Sequence, residues 1–324
     1  MRIINFLLAA ATCVLVVGNL QAQKNPVLPG LYADPEVLYS KQTGRYYIYP
    51  TTDGQRNWTG HDFHVFESRD MKHWEEKGVV LDLRKDVSWA DNNAWAPCII
   101  ERKQADGSFR YYFYYTAEGQ IGVAVGTTST GPFVDFGHVL IGKERPEGMG
   151  HGANIDPDVF QDPQTGKCYL YWGNGYLAVA ELADDMVSLV PGTTRLIINS
   201  KQYYSEGSYV FYRKGWYYFM WSKNDTRTPE YHVRYCRARS PLGPIDPAES
   251  RVVIQQRPDK GIYATGHHSV VCHPKRDRWW IVYHRFQRPD AIKLGRDAGY
   301  NREVCIDRMK FDKEGNIIEV KPSK

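Results

Sequence analysis

The chain alternates short apolar or aromatic runs with turns rich in glycine and polar residues, and it shows no sustained helical periodicity. One unit recurs: a short apolar strand, a polar turn, and a returning strand rich in tyrosine or tryptophan. Residues 33–49 form the first unit, and residues 155–172 repeat its Asp-Pro-acid start and its Thr-Gly turn. Short apolar runs bounded by turn residues are typical of β-strands. The pattern therefore predicts an all-β chain.

Five such units follow one another at a regular spacing. Counted from their first motif residue, they begin at Asp34, Trp95, Asp156, Glu206 and His267, with spacings of 61, 61, 50 and 61 residues. A period of this size, written in strands, is typical of a β-propeller in which each repeat is one blade. Chance similarity is the alternative, but the first and third units agree at four or five consecutive positions. We therefore predict a five-bladed β-propeller that forms a single domain.

The N-terminus has the composition of a secretory signal peptide. Arg2 precedes an apolar run at residues 3–17, and residues 20–22 form a cleavage site of the small-residue type. The apolar core is short for a membrane span, although an uncleaved anchor is the alternative. We expect residues 1–22 to be removed and residues 23–324 to form the propeller. The protein is then exported, periplasmic or secreted, and has no membrane span.

Composition narrows the function further. The net charge of +4 is mild and spread along the chain, which argues against a nucleic-acid partner. Aromatic residues make up 14% of the chain, which suits both strand packing and stacking against sugars. Five cysteines lie beyond the signal peptide, in apolar runs and without metal-type spacing, so we expect small buried thiols and no disulfide framework.

The first positions of the five units carry the candidate chemistry. Innermost strands of a propeller surround its axis, so Asp34, Trp95, Asp156, Glu206 and His267 are expected to converge. Inner-strand acids also cap turns, which is the structural alternative for any one of them. Three carboxylates at one place suit glycoside hydrolysis, in which one protonated and one ionised carboxyl group act together.

The chain resembles glycoside hydrolase family 43, whose members are five-bladed propellers acting on arabinose- and xylose-containing glycans. Short motifs at the start of every blade carry the resemblance, in the family's order and over nearly the whole mature chain. They are Ala33-Asp34-Pro35, Trp95-Ala96-Pro97, Ile155-Asp156-Pro157, Ser205-Glu206-Gly207 and Gly266-His267-His268-Ser269.

The resemblance implies roles for the three acids. Asp34 matches the general base that activates water, Glu206 the general acid, and Asp156 the carboxylate that orients Glu206 and raises its pKa. Members of the family invert the anomeric centre. The carboxyl groups of Asp34 and Glu206 are therefore expected to lie about 6.5–9.5 Å apart.

Three further residues have implied or candidate roles. His267 matches a family histidine on the axis that binds a hydrated cation, usually calcium, or a water cluster; a hydrogen-bonded histidine without an ion is the alternative. Arg302 matches an arginine near the bound sugar, with a surface arginine as the alternative. Trp95 offers a flat face for sugar packing. Five other residues at predicted blade ends are pocket candidates without assigned roles: Asp53, Trp58, Asn93, Trp221 and Tyr231. No cofactor is required.

The expected function is release of sugars from plant-type polysaccharides or oligosaccharides by an inverting α-L-arabinofuranosidase. A β-D-xylosidase or galactofuranosidase of the same family is the first alternative. A non-catalytic sugar-binding propeller is the second, although retention of all three acids argues against it. Fructoside hydrolases and sialidases are disfavoured because their Arg-Asp-Pro and Asp-box motifs are absent from the sequence.

Overall fold

The computed structural model describes residues 24–324, so the predicted signal peptide at residues 1–22 lies outside the described residues. The described chain forms five antiparallel sheets of four strands each. The strands β1 to β20, in chain order, are Tyr32–Tyr39, Tyr46–Thr52, Asp62–Ser68, Glu75–Asp82, Trp95–Lys103, Phe109–Ala117, Gln120–Gly126, Val134–Asp135, Asp158–Gln161, Cys168–Trp172, Leu177–Leu182, Arg195–Ile198, Glu206–Arg213, Trp216–Lys223, His232–Ala238, Arg251–Ile254, Gly266–Cys272, Trp279–Phe286, Arg302–Phe311 and Ile317–Ile318.

Each sheet takes four consecutive strands, in the order of the chain. The first strand of each blade lies innermost, and the fourth lies at the outer edge, which confirms the predicted five-bladed propeller. Helical structure between residues 24 and 324 is confined to short connections. These are the α-helix α1 at Leu83–Asp86 and 3-10 segments at Arg56–Trp58, Pro247–Glu249, Pro258–Lys260 and Ala291–Tyr300. None of the described helices has the length and apolar character needed to cross a bilayer.

Aromatic side chains fill the spaces between blades. Between the first two blades, Phe113 stacks on Phe133 with ring centroids 4.9 Å apart, and Phe63 meets Phe113 edge-on at 5.3 Å. Most of the tyrosine-rich returning strands are buried in such clusters. Four of the five described cysteines, Cys98, Cys168, Cys236 and Cys305, are buried as expected, whereas Cys272 is half-buried, and all five are free.

The two ends of the described chain meet at the fifth blade. Asn25 pairs with the backbone of Ile306 on β19 through both its side-chain oxygen and its side-chain nitrogen, at 2.9 and 3.2 Å. The Val27 amide donates to the carbonyl of Val304 on the same strand. The segment entering the first blade is therefore bound to the last one, which holds the ring closed.

A bend recurs at the start of every innermost strand. At this bend each blade has one residue with a positive φ. These five residues, here called the upper ring, are Asp34 (46°), Ala96 (42°), Asp156 (60°), Gly207 (60°) and His267 (39°). Pairing of the neighbouring strands puts Trp95 and Glu206 one position before this bend. The equivalence predicted from sequence is thus wrong by one residue in the second and fourth blades.

The bends are fixed by hydrogen bonds between blades. Each upper-ring amide donates to a side chain of the preceding blade, because the bend turns that amide away from its own sheet. The acceptors are Thr51 for Ala96 (2.7 Å), Thr116 for Asp156 (3.0 Å), Asp156 for Gly207 (3.2 Å), Ser222 for His267 (2.8 Å) and His284 for Asp34 (3.2 Å).

A second set of contacts lies two residues further along each innermost strand. We call these five residues the lower ring: Glu36, Cys98, Asp158, Tyr209 and Ser269. Each one bonds the backbone of the following blade, as in Asp158 accepting from the Val210 amide at 2.7 Å and Ser269 donating to the Pro35 carbonyl at 2.6 Å. The two rings therefore join neighbouring blades through specific side chains near the axis.

Candidate active site

A cavity of about 430 Å³ opens at the end of the axis where the upper ring lies. This size is within the usual range for sites that bind small molecules. The six residues that the sequence singled out, Asp34, Trp95, Asp156, Glu206, His267 and Arg302, all line it. The structure therefore brings these six residues together.

Asp34 is a buried carboxylate whose contacts all fall on one oxygen. Arg302 Nη1 lies 3.0 Å from Oδ1, and the Nδ1 atoms of His267 and His284 each lie 3.1 Å from that same oxygen. Burial alone would raise the pKa of Asp34, but Arg302, and after it His267, lower that pKa well below its ordinary value. Asp34 is therefore ionised, and Oδ2 remains free to accept a proton from a bound molecule.

Arg302 is held in place by a second acid beneath the cavity. Its Nε and Nη2 atoms donate to the two oxygens of Asp53 at 2.9 and 3.2 Å, and its amide donates to Asp53 as well. Asp53 does not line the cavity, contrary to its place among our pocket candidates. The pair is almost completely buried, so the guanidinium points at Asp34 in a fixed orientation.

Glu206 stands in a different environment. Asn174 Nδ2 donates to Oε2 at 2.7 Å, and the Tyr231 hydroxyl donates to Oε1 at 2.8 Å. Burial raises the pKa of Glu206 to about 7, helped by the negative charge of Asp34 and opposed by the hydrogen bond from Tyr231. Glu206 therefore holds a proton at neutral pH or just below.

Asp156 lies beside Glu206 and is bound to its backbone. The amide of Gly207, the residue after Glu206, donates to Asp156 Oδ2 at 3.2 Å. Burial raises the pKa of Asp156 well above its ordinary value, and the neighbouring Glu206 and Asp34 raise it further. Asp156 thus fixes the strand position from which Glu206 reaches the cavity.

Two glycines explain the motifs around these acids. Gly207 has φ +60°, and a Cβ there would lie 3.0 Å from the ring of His267. A Cβ on Gly266 would lie 2.1 Å from the ring of Tyr231, which binds Glu206. Both positions require glycine because a side chain would displace a ring that touches the site.

Tyr231 links the two sides of the site. Its ring stacks on His284 at 5.6 Å with an interplanar angle of 7°, while its hydroxyl donates to Glu206. Burial lowers the pKa of His284 to about 3, so the imidazole is neutral. Nδ1 of the neutral His284 accepts a hydrogen bond from the Asp34 amide. Because the same ring stacks on Tyr231, His284 fixes the backbone of Asp34 relative to Tyr231.

Aromatic rings form the opposite wall. The Trp95 indole donates to the Trp58 carbonyl at 2.7 Å, and the two rings meet edge-on at 6.4 Å. Trp58 packs in turn against Tyr300 at 4.7 Å and donates to the Gly299 carbonyl. Loops of the first, second and fifth blades thereby hold two indoles at the cavity wall, where a sugar face would pack.

The cation expected at His267 stays a prediction. His267 lies at the upper ring with Nδ1 directed at Asp34. No group of three or more His, Cys, Asp or Glu side chains within residues 24–324 has the geometry to hold a metal ion. The described side chains do not form a coordination sphere by themselves, so we assign no chemical step to an ion.

Sequence reasoning missed several contributors. Asn174 and His284 gave no local signal, because their roles arise only when strands of different blades meet. Tyr231 was a pocket candidate without a role, and it holds Glu206. Of the other candidates, Asn93 donates a hydrogen bond to the Trp58 carbonyl and does not line the cavity. Trp221 is fully buried and packs within the fold.

Comparison with known proteins agrees with this geometry. Residues 23–317 match the family described as Glycosyl hydrolases family 43. The beta-D-galactofuranosidase xynD of Aspergillus niger is 33% identical over 308 residues, covering 91% of this chain and 84% of that protein. Xylosidase/arabinosidase 43A of Humicola insolens is 28% identical, with 92% of this chain and 99% of that protein covered.

Solved structures show the same relationship. The α-L-arabinofuranosidase CtGH43 from Clostridium thermocellum superposes with a TM-score of 0.71 and 30% identity, covering 90% of this chain and 94% of that one. The match extends over nearly the full length of both chains and includes all five blades. The chain belongs to glycoside hydrolase family 43, and it is an inverting glycosidase.

Proposed function

We propose that this protein hydrolyses α-L-arabinofuranosides, with Asp34 as general base, Glu206 as general acid and Asp156 as the residue that positions Glu206. The observation that carries these roles is the opposite protonation of two acids in one cavity. Arg302 keeps Asp34 ionised, whereas burial keeps Glu206 protonated up to about pH 7. An inverting glycosidase requires this combination.

The base acts through Oδ2 of Asp34, since the contacts from Arg302, His267 and His284 all fall on Oδ1. A water held at Oδ2 gives up its proton there as its oxygen attacks the anomeric carbon. Arg302 and His267 hold the carboxylate in position through Oδ1, and His284 holds the backbone of Asp34. In this proposal Asp34 and Glu206 flank the scissile bond, about 6.5–9.5 Å apart, which leaves room for that water.

Glu206 delivers its proton to the leaving oxygen. As the glycosidic bond breaks, the proton moves from the carboxyl group to that oxygen, and Glu206 becomes a carboxylate. The hydrogen bonds from Asn174 and Tyr231 stabilise the carboxylate so formed. The proton taken up by Asp34 returns to solvent before the next turnover.

The choice of sugar rests on the relatives. CtGH43 is named an α-L-arabinofuranosidase and is similar over nearly the whole of both chains. A β-D-galactofuranoside is the second candidate, because xynD of A. niger carries that activity in its name at 33% identity. The two furanose rings share the same ring stereochemistry and differ at the exocyclic carbon. The cavity volume of about 430 Å³ accommodates either sugar.

The test is release of nitrophenol from α-L-arabinofuranoside, β-D-galactofuranoside and β-D-xyloside by the mature protein. The arabinofuranoside is expected to have the highest kcat/KM, and Asp34→Asn to lower it by at least about 100-fold. Asp277→Asn, an exposed acid distant from the cavity, serves as the control. A preference for xyloside, or full activity of folded Asp34→Asn, would overturn the proposal.

We also propose that the protein is exported, periplasmic or secreted, on the composition of residues 1–22. N-terminal sequencing of protein recovered from periplasm or medium tests this. A mature chain starting near residue 23 is expected. An intact Met1 in the cytoplasmic fraction would contradict it.

A further inference from the structure

We propose that the mouth of this cavity binds the negatively charged part of an acidic glycan, a uronic-acid substituent on the leaving-group side of the cleaved bond. The inference rests on the proposed roles of Asp34 and Glu206 and adds a substrate class to them. It starts from the positively charged residues beside Glu206, which the proposed hydrolysis does not use.

Two segments flank Glu206 at the cavity wall. On one side, Asn174 binds Glu206, and the next residue, Gly175, packs near Lys201. On the other side, Tyr231 binds Glu206, and the loop before it carries Asp225 and Arg227 into the lining. The general acid protonates the leaving oxygen, so residues on both sides of it face the chain that departs.

Lys201 is an uncompensated cation in this position. Its residue is exposed and lines the cavity. Among residues 24–324, no carboxylate lies within 4.0 Å of its ammonium group. Lys223 adds a second ammonium group close by, 3.3 Å from the Lys201 carbonyl oxygen. A structural ion pair therefore does not account for this charge.

The opposite side carries an excess positive charge as well. Asp225 is shared by two arginines: Arg227 binds both of its oxygens at 2.9 and 2.8 Å, and Arg296 Nη2 binds Oδ2 at 2.7 Å. One carboxylate compensates only one of the two guanidinium groups. The remaining acid of that loop, Glu230, does not line the cavity.

The floor of the cavity does not cancel these charges. Arg302 pairs there with two carboxylates, Asp34 and Asp53, which leaves the floor a negative charge, but both of these acids are buried. Lys201 and Arg296, by contrast, are exposed. The positive excess is therefore concentrated at the mouth, beyond the point of cleavage. A neutral sugar chain gains little from it. A carboxylate on that chain would pair with Lys201 or with the arginines.

The experiment compares one glycan before and after chemical reduction of its uronic acids to neutral sugars. The probe is arabinose release from glucuronic-acid-substituted arabinoxylan by wild type, Lys201→Gln and Lys313→Gln. Lys313 lies in the turn after β19, at the opposite end of the molecule. Lys313→Gln is the control, because it changes the net charge by the same amount as Lys201→Gln. Nitrophenyl arabinofuranoside reports on the catalytic step alone.

Wild type is expected to favour the acidic over the reduced polymer in kcat/KM. Lys201→Gln should lose about threefold to tenfold on the acidic polymer only, with nitrophenyl glycoside turnover unchanged. Raising salt from about 0.02 to about 0.5 M should remove the preference. Equal rates on the two polymers, or equal loss by Lys201→Gln on both, would overturn the inference. Failure of wild type on every substrate would instead reject the proposed function.

Discussion

At the scale of single residues, the site depends on two carboxyl groups kept in opposite protonation states. Asp34 is ionised because Arg302 lies 3.0 Å from it, and Glu206 keeps its proton up to about pH 7 because burial and the charge of Asp34 raise its pKa. The pH dependence of kcat/KM should report both groups. Activity is expected to fall as pH rises through about 7, where Glu206 loses its proton. On the acid side, activity should persist at pH values below the ordinary pKa of an aspartate, because the pKa of Asp34 is lowered.

Replacing Tyr231 by phenylalanine tests the basic limb of this profile. The Tyr231 hydroxyl stabilises the charged form of Glu206, so its removal should raise the Glu206 pKa and move the basic limb to higher pH. The readout is kcat/KM against pH for an arabinofuranoside. Tyr235→Phe, on the strand β15 that begins directly after Tyr231, is the control, because the Tyr235 hydroxyl contacts the Ile317 amide and not Glu206. A basic limb that stays in place would show that another group limits activity there.

The acid limb depends on Arg302. Arg302→Met removes the cation that lowers the Asp34 pKa, so the acid limb should move to higher pH and kcat/KM should fall by about 100-fold or more. Arg308→Met is a matched change on the same strand, where the side chain stacks on Trp280 at 4.5 Å. If Arg302→Met and Arg308→Met have the same pH profile, Arg302 does not control Asp34.

At the scale of elements, the left-handed bend at each innermost strand is what turns a side chain toward the cavity. The motifs at the start of each blade could be aligned from sequence because they repeat. The shift of Trp95 and Glu206 by one residue could not be predicted from sequence. It results from bulges that are recognised only from the pairing of β5 with β6 and of β13 with β14.

The hydrogen bonds that fix these bends should contribute measurably to stability. Thr116→Val keeps the shape of a fully buried side chain but removes the acceptor of the Asp156 amide. The free energy of unfolding should fall by about 1–3 kcal/mol, the cost of leaving a buried amide without a partner. Urea denaturation measures it. Thr128→Val, at an exposed turn, should change stability by under about 0.5 kcal/mol. Equal stability of Thr116→Val and wild type would mean that the ring does not hold the blades.

At the scale of the whole molecule, burying two acids of the lower ring links stability to pH. Burial raises the pKa of Glu36 well above its ordinary value, and the neighbouring Asp158 raises it further. A group with a raised pKa stabilises the fold fully below its unfolded pKa of about 4.3, and that contribution is lost as pH rises toward the folded value. The protein should therefore lose stability between about pH 5 and neutrality.

Glu36→Gln separates this effect from packing. Glutamine can accept a hydrogen bond from the Ile99 amide, as the protonated acid does, but it carries no charge at any pH. Its Tm should match wild type near pH 4 and exceed it increasingly as pH rises. Glu36→Ala, which loses the hydrogen bond, should be less stable throughout. A constant difference between Glu36→Gln and wild type across pH would contradict a protonated Glu36.

The same scale shows how far the sequence predicts this protein. Five spaced repeats predict the propeller, and the meeting of Asp34, Asp156 and Glu206 follows from its symmetry. Asn174, His284 and Asp53 act through partners more than 30 residues away, without a repeated motif to mark them. Charges at the mouth, such as Lys201, lie in loops whose positions only the folded molecule sets.

The most direct test of the central claim is the dependence of Glu206→Gln on the leaving group. The dinitrophenolate leaving group of dinitrophenyl α-L-arabinofuranoside departs without a proton. The sugar leaving group of an arabino-oligosaccharide requires a proton from Glu206. We predict that Glu206→Gln retains most of its kcat on the dinitrophenyl sugar and loses about 100-fold or more on the oligosaccharide. An equal loss on both substrates would contradict the role of Glu206 as general acid.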